Sequence, residues 1–293
     1  MPPKHFYDRE GSRLFDQICD TPEYYPTRTE QALLQEHAHR IIAVTRPDHI
    51  IEFGSGTSRK TRFLFDACEQ QGVRCSYWPM DICAEVLQQS ARQLRATYPW
   101  LTINILCGDH SAGLTNIDLP PGRSLGLFLG STIGNYQNGE AEALLHDVRG
   151  LLGENNWLLL GIDRVKKKAV LESAYNDALG LTARFNLNML NVLNRELGAN
   201  FELDNYTHRA VFNEEESQIE MHIVARCEQK VCFSALGNEC MEMKRGESIL
   251  TEVSHKMTPE KARAMLEGCA YGIEHHFTPD NQYFSLYLVR CGL

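Results

Sequence analysis

The amino-acid sequence predicts an α/β fold with a parallel sheet, and three observations carry that prediction. Short apolar runs alternate with helical patterns from His49 to Asp163, which is typical of parallel strands covered by helices on both faces. The first run leads directly into Gly54 and Gly56, which let the backbone turn sharply and lie close to a ligand. Near the C-terminus, YGIEHHF and QYFSLYLVR flank the turn residues PDN and predict an antiparallel hairpin.

The predicted elements of this sheet follow one another in a regular order. The strand at residues 50–53 leads through the glycine turn into a helix whose free N–H groups point at whatever the turn holds. Further strands are predicted at residues 75–81, 101–109, 124–132 and 156–163, and helices near residues 64–68, 84–98 and 140–152. Ligands of such sheets bind beyond the carboxyl ends of the strands. The residues predicted there are Gly54, Asp81, Asp109 and Gly130.

A second region interrupts this alternation after Asp163. Residues 166–198 have the spacing of long helices, and residues 208–252 form short alternating strands separated by turn residues and charge. The first pattern resumes with a helix near residue 260, which Thr258 caps and Pro259 begins. We therefore predict an α+β domain of residues 1–28 and 166–255, inserted into a sheet domain of residues 29–165 and 256–293.

The composition argues against several classes of protein. Among 293 residues, 29 Lys and Arg stand against 38 Asp and Glu, and a net charge of −9 argues against a nucleic-acid partner. No stretch approaches the roughly 20 apolar residues of a membrane span, and the polar N-terminus lacks a signal-peptide core, which predicts a cytoplasmic protein. The ten cysteines include no C-x-x-C pair, so we expect buried, reduced thiols, no metal site and no disulfide framework.

The glycine turn also indicates the kind of ligand. A dinucleotide-binding turn would have a third glycine where this chain has Arg59, so a pyrophosphate is disfavoured. Glu52 and Asp81 suit a cofactor with an amine and a ribose, because carboxylates accept hydrogen bonds from both. The alternative of a plain strand-to-helix turn is weakened by Asp81. Together with the closing hairpin, the pattern resembles the class I S-adenosylmethionine-dependent methyltransferases and their Rossmann-like sheet.

Five longer stretches resemble a single family. They are EYYPTRTE, FGSGTSRKTR, FLGSTIGNY, FNLNMLNVLNRELGANFELDNYTH and ILTEVSHKM. In this order and spacing they resemble the histidine-specific methyltransferases that make hercynine on the way to ergothioneine, and the likeness runs from about Lys4 to the C-terminus. The resemblance implies S-adenosyl-L-methionine as cofactor, S-adenosyl-L-homocysteine as its product and L-histidine as a small-molecule substrate. We expect a monomer.

The resemblance places five residues at the cofactor. Gly54 matches the turn glycine, and Lys60 matches the lysine that approaches the methionine moiety; both fit a carboxylate at a helix N-terminus. Asp81 matches the acid that holds the ribose hydroxyls, while Asp109 and His110 match the position that reads the adenine amine. Without the resemblance, Lys60 would equally be a solvent-exposed lysine, and Asp109 and His110 would belong to an ordinary turn after a strand.

The resemblance places six residues at the substrate: Tyr24, Asn135, Tyr175, Met221, Glu252 and Ser254. Asn135 matches the asparagine at the α-amino end and is the catalytic candidate, since its amide both donates and accepts. Tyr175 matches the tyrosine that hydrogen-bonds the substrate carboxylate, Tyr24 matches a residue on the histidine, and Met221 forms an apolar wall. Tyr25 is the alternative to Tyr24 if the register is shifted by one.

Strand geometry supports the pairing of Glu252 with Ser254. Residues two apart on a strand share a face, so both side chains can reach one imidazole. The carboxylate would accept the ring N–H, and the hydroxyl would serve the other ring nitrogen. By the same alternation, His255 should face away from them.

These residues predict trimethylation of the α-nitrogen of L-histidine. One alternative is the same chemistry on another aromatic amino acid, such as tryptophan or tyrosine, which would bypass Glu252. A second alternative is a non-catalytic cofactor-binding module, and a third is RNA methylation, against which the acidic charge balance weighs.

Overall fold

The chain divides into two compact units. A computed structural model describes residues 3–110, 113–114, 117–137 and 139–292. The inserted unit comprises the chain up to Tyr25 together with Lys166–Ser254, and the sheet unit comprises Pro26–Val165 together with the chain from His255 onward. The chain therefore passes between the units three times. The domain boundaries expected from the sequence lay at 28/29, 165/166 and 255/256.

Thirteen described strands and eight described α-helices form the two units. The strands are β1 His49–Phe53, β2 Ser76–Asp81, β3 Thr102–Ile103, β4 Leu106–Cys107, β5 Ser124–Phe128, β6 Trp157–Asp163, β7 Tyr206–Asn213, β8 Gln218–Ala225, β9 Gln229–Phe233, β10 Glu239–Met243, β11 Ser248–His255, β12 Tyr271–Phe277 and β13 Phe284–Cys291. The helices are α1 Arg9–Ile18, α2 Tyr25–Thr45, α3 Arg62–Gln70, α4 Ala84–Thr97, α5 Glu140–Leu152, α6 Lys168–Ala174, α7 Leu181–Leu197 and α8 Pro259–Gly268. None of these helices is long and apolar enough to cross a membrane.

The sheet unit contains the predicted mixed sheet. Its strand order is β12-β13-β6-β5-β1-β2-β3, with β4 also pairing with β2. Strands β1 to β6 pair with one another in parallel, whereas β13 is antiparallel to both β6 and β12. The predicted α/β fold with a closing antiparallel hairpin is confirmed. The single strand predicted at residues 101–109 is two short strands, β3 and β4, which pair in turn with successive parts of β2.

Both faces of the sheet are buried, as the continuous apolar character of its strands requires. Ile50 and Leu159 join a core with helices α2, α3 and α4, while their chain neighbours Ile51 and Leu158 join a second core with α5 and α8. Because successive side chains of a strand point to opposite faces, each strand contributes to both cores. Ligands of such sheets bind beyond the carboxyl ends of the strands, outside these two cores.

The inserted unit contains two small sheets beside α7. Strands β11, β8 and β7 form one sheet, and β9 and β10 form an antiparallel pair. The end of α6 lies on β7, where the Asn176 side chain bonds both backbone groups of Ala210 and Glu172 accepts the Phe212 N–H at 3.0 Å. These contacts hold the residue between them, Tyr175, in place.

The cysteines differ in part from the expectation of buried, reduced thiols. Cys232 and Cys240 are direct partners in the β9–β10 pair and form a disulfide. Cys107 and Cys227 are free but exposed. The expectation of buried, reduced thiols was wrong for these four residues, which lie on the β9–β10 pair, at the end of β4 and in the turn after β8.

We predict that Gly161→Ala destabilises the sheet unit. Gly161 lies in β6, and an added Cβ would collide with the fully buried Glu30 carboxylate. Overpacking of this kind costs about 1–3 kcal/mol in the free energy of unfolding, measured by urea denaturation. The control is Gly150→Ala in α5, where a Cβ meets nothing within 4 Å and should stabilise the helix by about 0.5–1 kcal/mol. Equal effects of the two changes would show that Glu30 moves aside freely.

Candidate active site

The glycine turn after β1 is held against the end of β2. The N–H groups of Gly54 and Ser55 both donate to the Met80 carbonyl, at 2.9 and 3.0 Å. Gly54 and Gly56 have φ values of +72° and +49°, a left-handed region that glycine enters without a steric penalty. A Cβ on Gly54 would lie 3.7 Å from His110 Nε2, so a side chain there would narrow the space in front of that imidazole.

The Asp81 carboxylate is fixed at the end of β2. Its Oδ2 accepts the Gly56 N–H at 2.8 Å, and its Oδ1 accepts the Cys83 N–H at 3.0 Å. A carboxylate has about four acceptor sites, and these two N–H groups are its hydrogen-bond donors among the described residues, so acceptor capacity remains for a ligand. The Asp81 carbonyl accepts the Gly108 N–H at 3.0 Å, which brings the end of β4, with Asp109 next in the chain, close to the turn.

His110 is the last of the predicted residues at this end of the parallel strands. Its Nδ1 lies 3.0 Å from the Tyr136 hydroxyl, and burial lowers the pKa of the imidazole, so the ring is neutral at neutral pH. The structure thus brings Gly54, Asp81, Asp109 and His110 to one end of the parallel strands, as predicted for a ligand site there.

Lys60 lies at the end of β5 and is held by a residue that sequence reasoning missed. Its ammonium forms an ion pair with the fully buried Glu30 carboxylate, which also accepts the Gly130 N–H at 2.8 and 3.0 Å. A Cβ on Gly130 would lie 3.3 Å from Lys60 Nζ. Glu30 stands within the EYYPTRTE stretch, but an acid in a helix pattern reads as solvent-exposed, and only the fold reveals its burial.

Glu52 has a different role from the one expected of it. Its side chain is 2% exposed, and its carboxylate accepts hydrogen bonds from the hydroxyls of Thr61 and Tyr77. Burial raises the pKa of Glu52 to about 7. The expectation that this acid accepts from a cofactor amine was wrong, because the side chain supports the turn from inside.

Asn135 ends a short 3₁₀ turn, Thr132–Asn135, that follows β5. The turn is anchored by Ser131, whose hydroxyl accepts the Asp163 N–H at 2.8 Å. Gly134 packs so closely that a Cβ would lie 2.7 Å from the His255 carbonyl oxygen. Within the described part of the chain, no side-chain hydrogen bond to Asn135 is formed, which leaves the amide available to a ligand.

A second group of predicted residues lies in the inserted unit. The Tyr175 hydroxyl donates to Ser254 Oγ at 3.1 Å, and the rings of Tyr24 and Tyr175 are 6.1 Å apart. Burial raises the pKa of the Tyr24 hydroxyl, and nearby acidic groups, among them Tyr175 and Glu252, raise it further. These four residues therefore share one buried environment.

The contacts of Tyr24 and Tyr25 differ, and they identify which of the two lies beside Tyr175. Met221 is buried on β8, and its carbonyl accepts from Thr251, the residue before Glu252, at 2.9 Å. Tyr25 instead accepts a hydrogen bond from Lys166 Nζ at 2.6 Å. The contact with Tyr175 thus belongs to Tyr24.

His255 lies outside this group. In the sheet unit it lines a cavity of about 390 Å³ together with Tyr136, His146 and Lys261. The expectation from strand alternation was that its side chain faces away from Glu252 and Ser254.

Comparison with known proteins establishes the family. Residues 1–291 match the family described as histidine-specific, S-adenosylmethionine-dependent methyltransferases. The chain belongs to this family. The methyltransferase is 43% identical over 288 residues to Histidine N-alpha-methyltransferase of Mycolicibacterium smegmatis, covering 98% of this chain and 89% of that protein. It is 44% identical over 266 residues to the protein of the same name from Mycobacterium tuberculosis, covering 91% and 82%.

A more distant relative is a larger protein. The methyltransferase is 27% identical over 300 residues to Ergothioneine biosynthesis protein 1 of Schizosaccharomyces pombe, covering 99% of this chain but 38% of that protein. The predicted family resemblance is confirmed, and the chain is an S-adenosylmethionine-dependent methyltransferase.

The residues at the carboxyl edge fit this cofactor. Gly54 leaves open the space that a Cβ would occupy in front of His110, and Asp81 has free lone pairs for hydroxyl groups. Lys60 presents an ammonium beside the Gly130 backbone, suited to a carboxylate.

We predict that Glu52→Gln changes how the stability of the methyltransferase depends on pH. The pKa of Glu52 is about 7 in the folded protein and about 4.5 in the unfolded chain. The contribution of Glu52 to the free energy of unfolding is therefore complete below about pH 4.5 and is lost as the pH rises through 7. The variant carries no titrating group there. Its unfolding free energy relative to the parent should therefore increase between pH 5 and pH 8 by about 2 kcal/mol.

Urea unfolding of the parent and of Glu52→Gln at pH 5 and pH 8 measures this change in unfolding free energy, with the exposed Glu69→Gln as the control. A pH-independent difference between Glu52→Gln and the parent would show that Glu52 is already ionised in the folded protein.

Proposed function

We propose that this methyltransferase trimethylates the α-nitrogen of L-histidine to give hercynine, a step on the way to ergothioneine. The observation that carries the proposal is the buried group of Tyr24, Tyr175, Glu252 and Ser254, in a chain of the histidine-specific family. It combines donors for a carboxylate with an acid and a hydroxyl for an imidazole. Relatives at 43% and 44% identity are named Histidine N-alpha-methyltransferase, which supports the same substrate.

The cofactor residues are proposed to divide the ligand among them. Gly54 gives the backbone room to approach it, and Lys60 binds its methionine carboxylate. Asp81 holds the ribose hydroxyls, while Asp109 and His110 read the adenine. S-adenosyl-L-methionine, when bound, supplies a methyl group activated by its attachment to a sulfonium sulfur.

The substrate residues are proposed to hold both ends of histidine. Tyr175 and Ser254 each carry one hydroxyl donor and two acceptor lone pairs, so the pair seen at 3.1 Å can turn its hydrogens toward a carboxylate and a ring nitrogen. Glu252 accepts the other ring N–H. Tyr24 and Met221, which are both buried, would form the apolar walls of the proposed histidine site.

Asn135 is proposed to orient the reacting amine. Its amide oxygen can accept an amine N–H and keep the nitrogen lone pair directed toward the methyl group. The amine must be neutral to attack, and positioning a nucleophile against an activated group supplies much of the acceleration. Methylation changes only the amine, so the contacts to the carboxylate and the ring can hold the substrate through all three rounds.

The setting of the enzyme is also a proposal. We propose a cytoplasmic enzyme because eight described cysteines carry free thiols, although the Cys232–Cys240 disulfide is of a kind more common outside the cytoplasm. We propose a monomer because one chain supplies every residue named for the cofactor and for the substrate.

The first test is the reaction itself. Purified protein incubated with L-histidine and S-adenosyl-L-methionine should yield a product heavier by three methyl groups, detected by mass spectrometry. Each aromatic amino acid is tested in parallel. Turnover of tryptophan or tyrosine with no change in histidine would overturn the substrate assignment in favour of that amino acid.

The second test is Glu252→Ala, which removes the acceptor for the imidazole N–H. Loss of a hydrogen bond to a charged group should raise the KM for histidine roughly tenfold to a hundredfold. Affinity for S-adenosyl-L-homocysteine, measured by calorimetry, should not change, and the exposed Glu228→Ala should behave as the parent. An unchanged KM for histidine would remove Glu252 from the substrate site.

A further inference from the structure

A buried asparagine connects three elements of the inserted unit. Asn186 lies on α7 and is fully buried. Its Nδ2 donates to the His222 carbonyl on β8 at 3.1 Å and lies 2.9 Å from His208 Nδ1 on β7. Its Oδ1 is 2.7 Å from the hydroxyl of Thr251 on β11. One amide therefore touches all three strands of the sheet.

The partners determine the orientation of this amide. A carbonyl oxygen can only accept, so the group facing the His222 carbonyl must be the amide NH₂. The second hydrogen of that NH₂ then points at His208 Nδ1, which must be an acceptor and carry no proton. The single hydrogen of the Thr251 hydroxyl is shared between two acceptors, Asn186 Oδ1 and the Met221 carbonyl.

The same reasoning determines the state of His208. Its Nε2 lies 2.8 Å from the Tyr175 carbonyl, which also can only accept, so Nε2 must carry the hydrogen. His208 is therefore neutral, with its proton on Nε2. This ring nitrogen holds the backbone of Tyr175, whose hydroxyl meets Ser254.

We propose that His208 is a positioning residue for the amino-acid substrate, active only in this neutral form. The inference rests on the proposed function, in which Tyr175 binds the substrate carboxylate. Protonation would place a hydrogen on Nδ1 facing the Asn186 NH₂, so two donors would oppose each other. Asn186 could relieve this only by turning, which would set its Oδ1 against the His222 carbonyl and reverse its hydrogen bond with Thr251, the residue beside Glu252.

The charged and titratable groups around His208 favour the neutral form. Burial lowers the pKa of the imidazole, and His222 on β8 lowers it further, whereas the Tyr175 carbonyl and Asp177 after α6 act in the opposite direction. Asp177 is engaged by the Leu181 and Thr182 N–H groups, and His222 lies 3.2 Å from Glu220. Glu172 of α6 accepts the Phe212 N–H. Substrate binding should therefore be intact at neutral pH and weaken as the pH falls through the pKa of His208.

Two substitutions of His208 separate its hydrogen bonds from its titration. His208→Gln has an amide that can donate to Tyr175 and accept from Asn186, and it does not titrate. His208→Phe removes both contacts. We expect His208→Phe to raise the KM for L-histidine about tenfold, which corresponds in free energy to the loss of about one hydrogen bond. The affinity of this variant for S-adenosyl-L-homocysteine should be unchanged. We expect His208→Gln to retain the parent KM at pH 8 and to lose less kcat/KM than the parent at acidic pH, because only the loss caused by protonation of the substrate remains.

The exposed His39→Gln is the matched control and should follow the parent at every pH. An acidic limb in His208→Gln identical to that of the parent, or a KM in His208→Phe equal to that of the parent, would overturn the proposal. The ¹⁵N spectrum of the parent gives a readout independent of turnover, because it distinguishes a protonated Nε2 from a protonated Nδ1. A signal from the Nδ1–H form of His208, identified by its loss in His208→Gln, would also overturn it.

These outcomes distinguish the two proposals. If the parent neither binds nor methylates L-histidine while His208 shows the Nε2–H signal, the proposed substrate fails and the hydrogen-bond network stands. If the parent methylates L-histidine and His208→Phe leaves its KM unchanged, the role of His208 fails and the proposed function stands.

Discussion

A buried carboxylate, Glu30, constrains the sheet unit around the cofactor edge. Removing an ionised carboxylate from water costs several kcal/mol unless a partner replaces the lost solvation. Here the Lys60 ammonium and the Gly130 N–H replace it, and Gly161 of the neighbouring strand leaves it the space it needs. One acid thus contacts residues at three distant positions in the sequence, and the lysine proposed for the cofactor is held where the strands end.

The inserted unit uses neutral polar groups for a similar purpose. Asn186, His208 and Thr251 are joined through hydrogen bonds whose donors and acceptors are all determined by backbone carbonyls. Such a network specifies one arrangement, because each alternative leaves a buried polar group without a partner. Precise placement matters here, since methyl transfer to an amine depends on alignment of the reacting atoms.

The sequence predicted those features that depend on short-range pattern. Strand alternation, the glycine turn and the PDN hairpin together indicated the correct sheet, and the five longer stretches indicated the family. Contacts between elements were harder to predict. Glu52 was expected to face the ligand and Glu30 was not singled out, because the burial of both depends on packing between elements that no local pattern records.

The same limit applies to the candidate site. Asp81 was proposed from its place at the end of a strand and from the family resemblance, and Glu252 with Ser254 from the resemblance, with their spacing in support. Asn186 and His208 were not identified from the sequence as site residues, because a polar residue in a helix or strand usually faces water. Their contacts appear only when α7 and three strands are brought together, and the roles of all the named site residues remain predictions.

The three passages of the chain between the units bear on how acceptor preference could diversify. Tyr24 stands one residue before the first passage, and Ser254 is the last residue before the third. Most residues proposed for the amino acid therefore belong to two stretches of sequence that can vary while the cofactor-binding strands stay unaltered. Recombination or laboratory grafting of an acceptor preference would have to transfer both stretches together, since neither alone carries the tyrosine pair and the acid.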